Sequence, residues 1–161
     1  MTLAFTVWGE AQPQGSAKAF VPKGWSRPIV TSDNPDLKSW RQLVAEAANR
    51  AIADLPEKDR EFLLEGVRLT IAFYLPRPKS LPKRATAHTK KPDIDKLVRG
   101  CCDALTAIVF RDDSQVCELV TAKHYAREGD APHVDIRIEA TAGVDPIRVP
   151  AVPLPLFSEA R

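Results

Sequence analysis

Apolar residues recur along this chain with two different periods, and each change of period marks an element. Residues 3–8 (LAFTVW) are a short β-favouring run and the first expected strand. Gly9, Pro13 and Gly15 then punctuate a loop. Residues 19–21 and 27–31 read as a second extended stretch with the form of a hairpin, Pro22, Lys23 and Gly24 opening its turn. From 32 to 55 the spacing becomes helical: Leu37, Trp40, Val44, Ala47, Ala48, Ala51 and Ile52 share one face. Asn34 is placed to cap this helix, Pro35 suits its first position, and Asp36 favours the positive end of its dipole.

Residues 66–74 (GVRLTIAFY) are the clearest strand. Residues 76–92 (PRPKSLPKRATAHTKKP) are proline-rich, basic and without period, which predicts a long loop of the functional or mobile kind. Ile94, Leu97, Val98, Cys101, Leu105 and Ile108 restore a helical stripe, so a second helix is expected to run to about residue 108. A turn follows at Asp112 and Asp113, then two antiparallel strands at 116–125 and 134–140. Prolines 146, 150, 153 and 155 make residues 141–161 an extended or disordered tail. The order predicts a single α+β domain over residues 1–140, a mixed sheet with two main helices packed on one face.

Composition narrows the class. A chain of 161 residues, 44% hydrophobic and 27% charged, is neither disordered nor fibrous. No apolar run approaches the roughly 20 residues that cross a bilayer. The opening MTLAFTVWGE lacks the basic start of a signal peptide, so a cytoplasmic protein is expected. Three cysteines, Cys101, Cys102 and Cys117, have neither disulfide nor zinc spacing and are expected as buried small hydrophobes. The net charge of +2 conceals an asymmetry: from 77 to 99 there are eight basic residues against Asp93 and Asp95. Such a segment on a nearly neutral body concentrates attraction for phosphates, although a solvated loop has the same composition.

Within KPDIDKLVRG, Pro92 disfavours helix at Lys91, so Asp93 falls at the helix cap and Asp95 in its first turn. Two readings are open. Acids at a helix start can satisfy free amides and the dipole. Alternatively, Asp93 and Asp95, joined by the pair Asp112 and Asp113 beyond the helix, converge on a cation. Converging carboxylates are costly until a cation neutralises them, and all-oxygen ligands favour Mg2+ over zinc or iron. Beside a basic loop, such an ion suits phosphodiester hydrolysis. Asp95, Arg99 and Asp103 are spaced by four on one polar face. Arg99 is therefore either an intrahelical ion-pair partner or a cation for a scissile phosphate.

The run KPDIDKLVRGCCDALTAIVFRDDSQVCELVTAKHY resembles the RusA-type Holliday-junction resolvases, small phage and prophage endonucleases. Their hallmark is D-x-D before an apolar helix, then D-A-L-T, then D-D-x-Q-V. Here these are Asp93-Ile94-Asp95, Asp103-Ala104-Leu105-Thr106 and Asp112-Asp113-Ser114-Gln115-Val116. QPQGSAKAFVP and VTSDNPDLKSWRQ are similar to the family's basic loop after the first strand and its approach to the first helix, so the likeness spans residues 3–140. It implies a homodimer that binds four-way DNA junctions and nicks them in pairs, using Mg2+ with Mn2+ able to substitute. It implies Asp93, Asp95 and Asp113 as metal-associated catalytic carboxylates and Asp103 and Asp112 as accessory acids. The family's lysine four residues after the second aspartate is replaced by Arg99, and the residue directly after that aspartate, often asparagine, is Lys96. Arginine keeps the charge without the titratable ammonium, so it can serve an electrostatic role but not proton delivery.

Lys79, Lys83, Arg84, Lys90, Lys91 and Lys96 are the expected DNA contacts. In the tail, PLPLF resembles the short peptides that bind bacterial sliding clamps, with Pro153 where glutamine is usual. Leu154, Leu156 and Phe157 are its candidate anchors. The rival readings are a non-catalytic junction-binding protein, in which the aspartates only cap helices, and a nuclease acting on other branched DNA such as forks and flaps.

Overall fold

In the computed structural model, residues 2–15, 17–32, 34–57, 60, 65–82 and 84–142 are described. The tail beyond Ala142, with Leu154, Leu156 and Phe157, and Lys83 of the basic loop lie outside them.

The strand with the most regular alternation takes the middle of the main sheet. In β4 (Val67–Leu75) every second side chain is buried. It pairs antiparallel with β6 (His133–Ala140) and parallel with β5 (Val116–Tyr125), and β1 (Thr2–Trp8) closes the far side of β6. The order is β1-β6-β4-β5. The last two strands therefore do run in opposite directions, but they are not the adjacent pair their succession suggests. β4 lies between them. A parallel pair needs a crossover, and the helix between β4 and β5 provides it. β5, which leaves Leu119 and Val120 exposed, occupies the edge.

Two helices cover one face, α1 (Leu37–Ala53) and α2 (Ile94–Leu105). Trp40, Val44 and Ala48 of α1 and Leu97, Cys101 and Leu105 of α2 join Leu69, Ile71, Phe73, Ile136 and Ile138 in one core. This is the expected α+β layering. The opposite face is open, and a ring from each strand crosses it in a row. Trp8 meets His133 at 5.0 Å between centroids, His133 meets Tyr74 at 4.5 Å, and Tyr74 meets His124 at 5.8 Å. Directly opposed aromatic residues of this kind stabilise neighbouring strands.

Both helix boundaries differ from expectation. Asp36, not Asn34, is the N-cap residue of α1. The Asn34 carboxamide instead accepts from the Asp36 N–H at 3.1 Å and donates to the Pro13 carbonyl at 3.0 Å, which ties the returning chain to residues 12–13. α2 stops at Leu105 because Thr106 turns to extended ψ and Ala107 takes a left-handed φ of 63°. Val109 and Phe110 stay buried, so the apolar stripe outlasts the helix. Gly100 has a steric reason to stand within α2: a Cβ there would meet the Gln12 carbonyl oxygen at 3.0 Å. The segment before the hairpin thus crosses α2 in direct contact.

The hairpin forms as the turn residues indicate. β2 (Ala17–Phe20) and β3 (Ile29–Ser32) make a separate two-stranded sheet. Within its connection the Trp25 N–H donates to the Pro22 carbonyl at 3.0 Å while Gly24 has a φ of +88°. Glycine at that position is what a type II turn demands. Among the described residues no helix is long and apolar enough to cross a membrane.

Candidate active site

α2 begins where the proline places it. Asp93 is extended (φ −72°, ψ 140°) at the N-cap, and its carbonyl accepts the first helical bond, from Leu97 at 3.2 Å. Its carboxylate makes no capping hydrogen bond. It faces Lys96 instead, 3.7 Å away. Asp95, in the first turn, is exposed and has no hydrogen-bond or ion-pair partner among the described residues. Two carboxylates therefore stand at the head of α2 without being used to close it.

That head is held from two sides. Lys123 of β5 reaches across to the Lys90 and Pro92 carbonyls, 2.6 Å from each. From the other side the Gln14 N–H donates to the Lys96 carbonyl at 2.9 Å. The Lys91–Pro92 peptide bond is cis. Sequence reading missed Lys123. Its only local signal is a lysine in register with Phe73, where a strand facing the core should carry an apolar residue.

The four remaining candidates separate by what they bind. Asp112 is spent on structure: its carboxylate accepts from the Ser114 N–H at 2.9 Å, and Gln115 completes a capping box for the 3-10 turn Asp113–Gln115. The Ser114 hydrogen bonds hold the Asp112 carboxyl below the usual carboxylate range. Asp113, its neighbour, is exposed and has no such bond among the described residues. Asp103 is also spent, paired with Arg41 of α1, which donates in addition to Gln14 Oε1 at 2.6 Å. Arg99 is exposed and pairs with neither Asp95 nor Asp103 among the described residues. The intrahelical ion pair is thus not formed, since Asp103 is taken by the neighbouring helix.

The 3-10 turn that carries Asp113 packs on α2, and the charge of Asp113 is felt at Cys102 in the helix's last third. Burial first, then the nearby charges of Asp113 and Asp103, pushes the Cys102 thiol up to about 11. Cys102 is seven residues beyond Asp95, about 10 Å along a helix axis. In keeping with that offset, no group of three or more His, Cys, Asp or Glu side chains is gathered for a metal among the described residues. One chain offers Asp93 and Asp95 as a pair, with Asp113 further along the helix. The donor chemistry still fits a hard divalent cation: solvent-facing carboxylate oxygens leave room for waters and phosphate oxygens.

The basic loop is more ordered than its composition suggests. Arg77 donates to the Ala85 and Pro82 carbonyls at 2.9 and 2.7 Å, so it organises the loop from within. The Tyr125 N–H donates to the Thr86 carbonyl at 2.9 Å and the His88 N–H to that of Lys123 at 3.1 Å, pinning the loop to β5. Burial, and after it the Lys123 charge, holds the His88 imidazole below its ordinary value. Lys79, Arg84, Lys90, Lys91 and Lys96 all remain exposed. Of the cysteines, Cys101 and Cys102 are buried as expected, the Cys101 thiol pushed up to about 12 chiefly by burial. Cys117 is not buried: it lies exposed on edge strand β5.

An ordered basic loop leading into two exposed carboxylates that cap no helix amide is a surface suited to phosphodiesters, and the family comparison agrees. A family model described as "Endodeoxyribonuclease RusA" matches residues 10–139. The chain belongs to the RusA endodeoxyribonuclease family and is an enzyme that hydrolyses DNA. Nucleases of this family depend in general on a divalent metal. The chain is also similar to the uncharacterized protein YqaN of Bacillus subtilis (strain 168), 30% identical over 146 residues that cover 84% of this chain and 94% of the relative.

Proposed function

We propose that this protein is a Mg2+-dependent, structure-selective endodeoxyribonuclease that resolves four-way DNA junctions by paired nicking. The observation that carries the reading is the state of Asp93 and Asp95: both stand at the head of α2, exposed and free of capping hydrogen bonds, directly after a basic loop. Asp93 and Asp95 would hold the cation as a pair, and Asp113, which stands further along α2, would complete the set once metal and DNA draw the carboxylates together. When bound, the cation would polarise a phosphate oxygen and a water, the chemistry that phosphodiester hydrolysis requires.

The chain's own groups account for the rest. Arg99, without an ion-pair partner among the described residues and on the same face of α2 as Asp95, supplies positive charge toward the phosphate. Lys79, Lys83, Arg84, Lys90, Lys91 and Lys96 fix the path of the DNA backbone without reading its sequence. Lys123 is a positioning residue, holding the carbonyls ahead of Asp93. A homodimer suits the substrate, since a junction offers symmetry-related strands and a two-fold dimer presents one site to each. The catalytic domain is residues 1–140, acting in the cytoplasm, and the tail 141–161 offers Leu154, Leu156 and Phe157 to a sliding clamp. A non-catalytic binder needs the aspartates as caps, a duty the Asp93 carboxylate does not perform.

The test is nicking of a labelled four-way junction, with a fork, a flap and a linear duplex of the same arm sequence, across a Mg2+ titration. Paired nicks confined to the four-way junction are expected. Equal cleavage of forks and flaps would replace the junction by branched DNA at large. Binding without cleavage at any metal concentration would reduce the protein to a binder.

A further inference from the structure

The hairpin 17–32 is the part of the molecule that neither the core nor the site absorbs. A two-stranded sheet alone is marginal in water and normally packs its apolar side chains on something. Here β2 and β3 contact chiefly each other. Phe20 is 51% exposed, Val21 57% and Trp25 62%. Four large apolar side chains, with Ile29 opposite Phe20 in the register, therefore stand in solvent around one turn.

Its charge is one-sided. Lys18, Lys23 and Arg27 lie in the hairpin, and no aspartate or glutamate occurs from residue 11 to residue 32. Lys23 and Arg27 are exposed beside Trp25. Its root is fixed at the site. Gln14, three residues before β2, bonds the Lys96 carbonyl in the first turn of α2, and Asn34, two residues after β3, bonds the Pro13 carbonyl. Both legs of the hairpin thus leave the body beside the turn that carries Asp95.

From the exposed aromatic tip, the cations and the anchored root, we propose that this hairpin is an arm that grips branched DNA, Trp25 and Phe20 stacking on unstacked bases and Lys23 and Arg27 engaging phosphates. The inference rests on the function proposed above and names the contact that selects its substrate. Cations alone hold any duplex. An aromatic side chain gains a base to stack on only where the base leaves its stack, which costs a few kcal/mol inside a duplex and least where pairing is already broken. A branch point presents such bases. A self-contact between two arms about a two-fold axis is disfavoured, because it sets cations against cations without an acid in the segment.

The experiment is binding of the full chain, without Mg2+, to a four-way junction and to a linear duplex, with 2-aminopurine at the branch as a stacking probe. Trp25→Ala is expected to weaken junction binding about tenfold while changing duplex binding less than about twofold, and to abolish the wild-type quenching of 2-aminopurine. Phe20→Ala acts in the same direction. Lys23→Ser and Arg27→Ser weaken both DNAs alike and flatten the salt dependence. Unchanged thermal unfolding of each variant shows that the body is intact. If Trp25→Ala leaves the junction preference as it was, the arm proposal fails alone and the nuclease reading stands. If it turns a dimer into a monomer in sedimentation, the arm is a subunit contact and the proposal is overturned. If wild-type protein prefers no branched DNA, both readings fall.

Discussion

Three aspartates in this molecule stand at the N-cap of a helical turn, Asp36, Asp93 and Asp112, and only Asp112 uses its carboxylate as a cap. Asp112 accepts the Ser114 N–H and takes part in a complete capping box. Asp93 sits at the N-cap of a twelve-residue helix, where a cap has more to satisfy, and its carboxylate bonds none of the free amides. The same division recurs among the other acids. Asp103 ties α2 to α1 through Arg41, while Asp95, two turns before it, has no partner among the described residues. Asp36 at the head of α1 caps nothing either. What sets Asp93 and Asp95 apart is that two exposed carboxylates stand together at the mouth of a basic loop, which is what a cation and a phosphate need. The contrast also shows why residue type and helix position could not decide the matter.

The largest effect is expected at Asp93 and Asp95. Asp93→Asn or Asp95→Asn should lower cleavage about a hundredfold or more, beyond the loss typical of groups that merely support a metal ligand, with DNA binding and melting temperature retained. Next comes Arg99. Its replacement by Gln should slow cleavage about tenfold and Arg99→Lys should recover most of it, since the role assigned is electrostatic. Single-turnover nicking measures both.

The committed acids should behave in the opposite way. Arg41→Ala breaks the tie between the helices, and about 1 kcal/mol of stability should be lost, read as a melting temperature lower by a few degrees, with nicking at low temperature little changed. Asp112→Ala should cost about 3 °C for the lost cap. Because the Asp112 carboxyl is held below its usual range, its contribution is present above the unfolded value and fades as pH falls through the folded one. The gap in melting temperature between wild type and Asp112→Ala should therefore close on acidification below the ordinary carboxylate range. A gap that widens there would contradict the cap.

Much of this was legible in the chain. The alternation of residues 67–75 and the stripe of Leu97, Cys101 and Leu105 are local patterns, and they specified a strand and a helix correctly. Strand neighbours were not legible, because the placement of β4 between β5 and β6 depends on contacts remote in sequence. Asn34 was misjudged for a related reason: it is a good cap in isolation, but the Pro13 carbonyl competes for it. The D-x-D pair could be found, since proline, helix start and charge lie within ten residues. Lys123 could not, because its carbonyl partners lie 33 and 31 residues away. Residue type alone did not divide Asp112 from Asp113; the family resemblance did, and the Ser114 amide that engages Asp112 gives a physical reason for that division.

The most direct test compares Asp93 with Asp112 by Mn2+ binding, followed by electron paramagnetic resonance on the full chain bound to a four-way junction. The protein should bind Mn2+, Asp93→Asn should lose that binding, and Asp112→Ala should keep it. Equal affinity in all three proteins would mean that Asp93 is only another helix-start acid and that the metal site has been assigned to the wrong carboxylates.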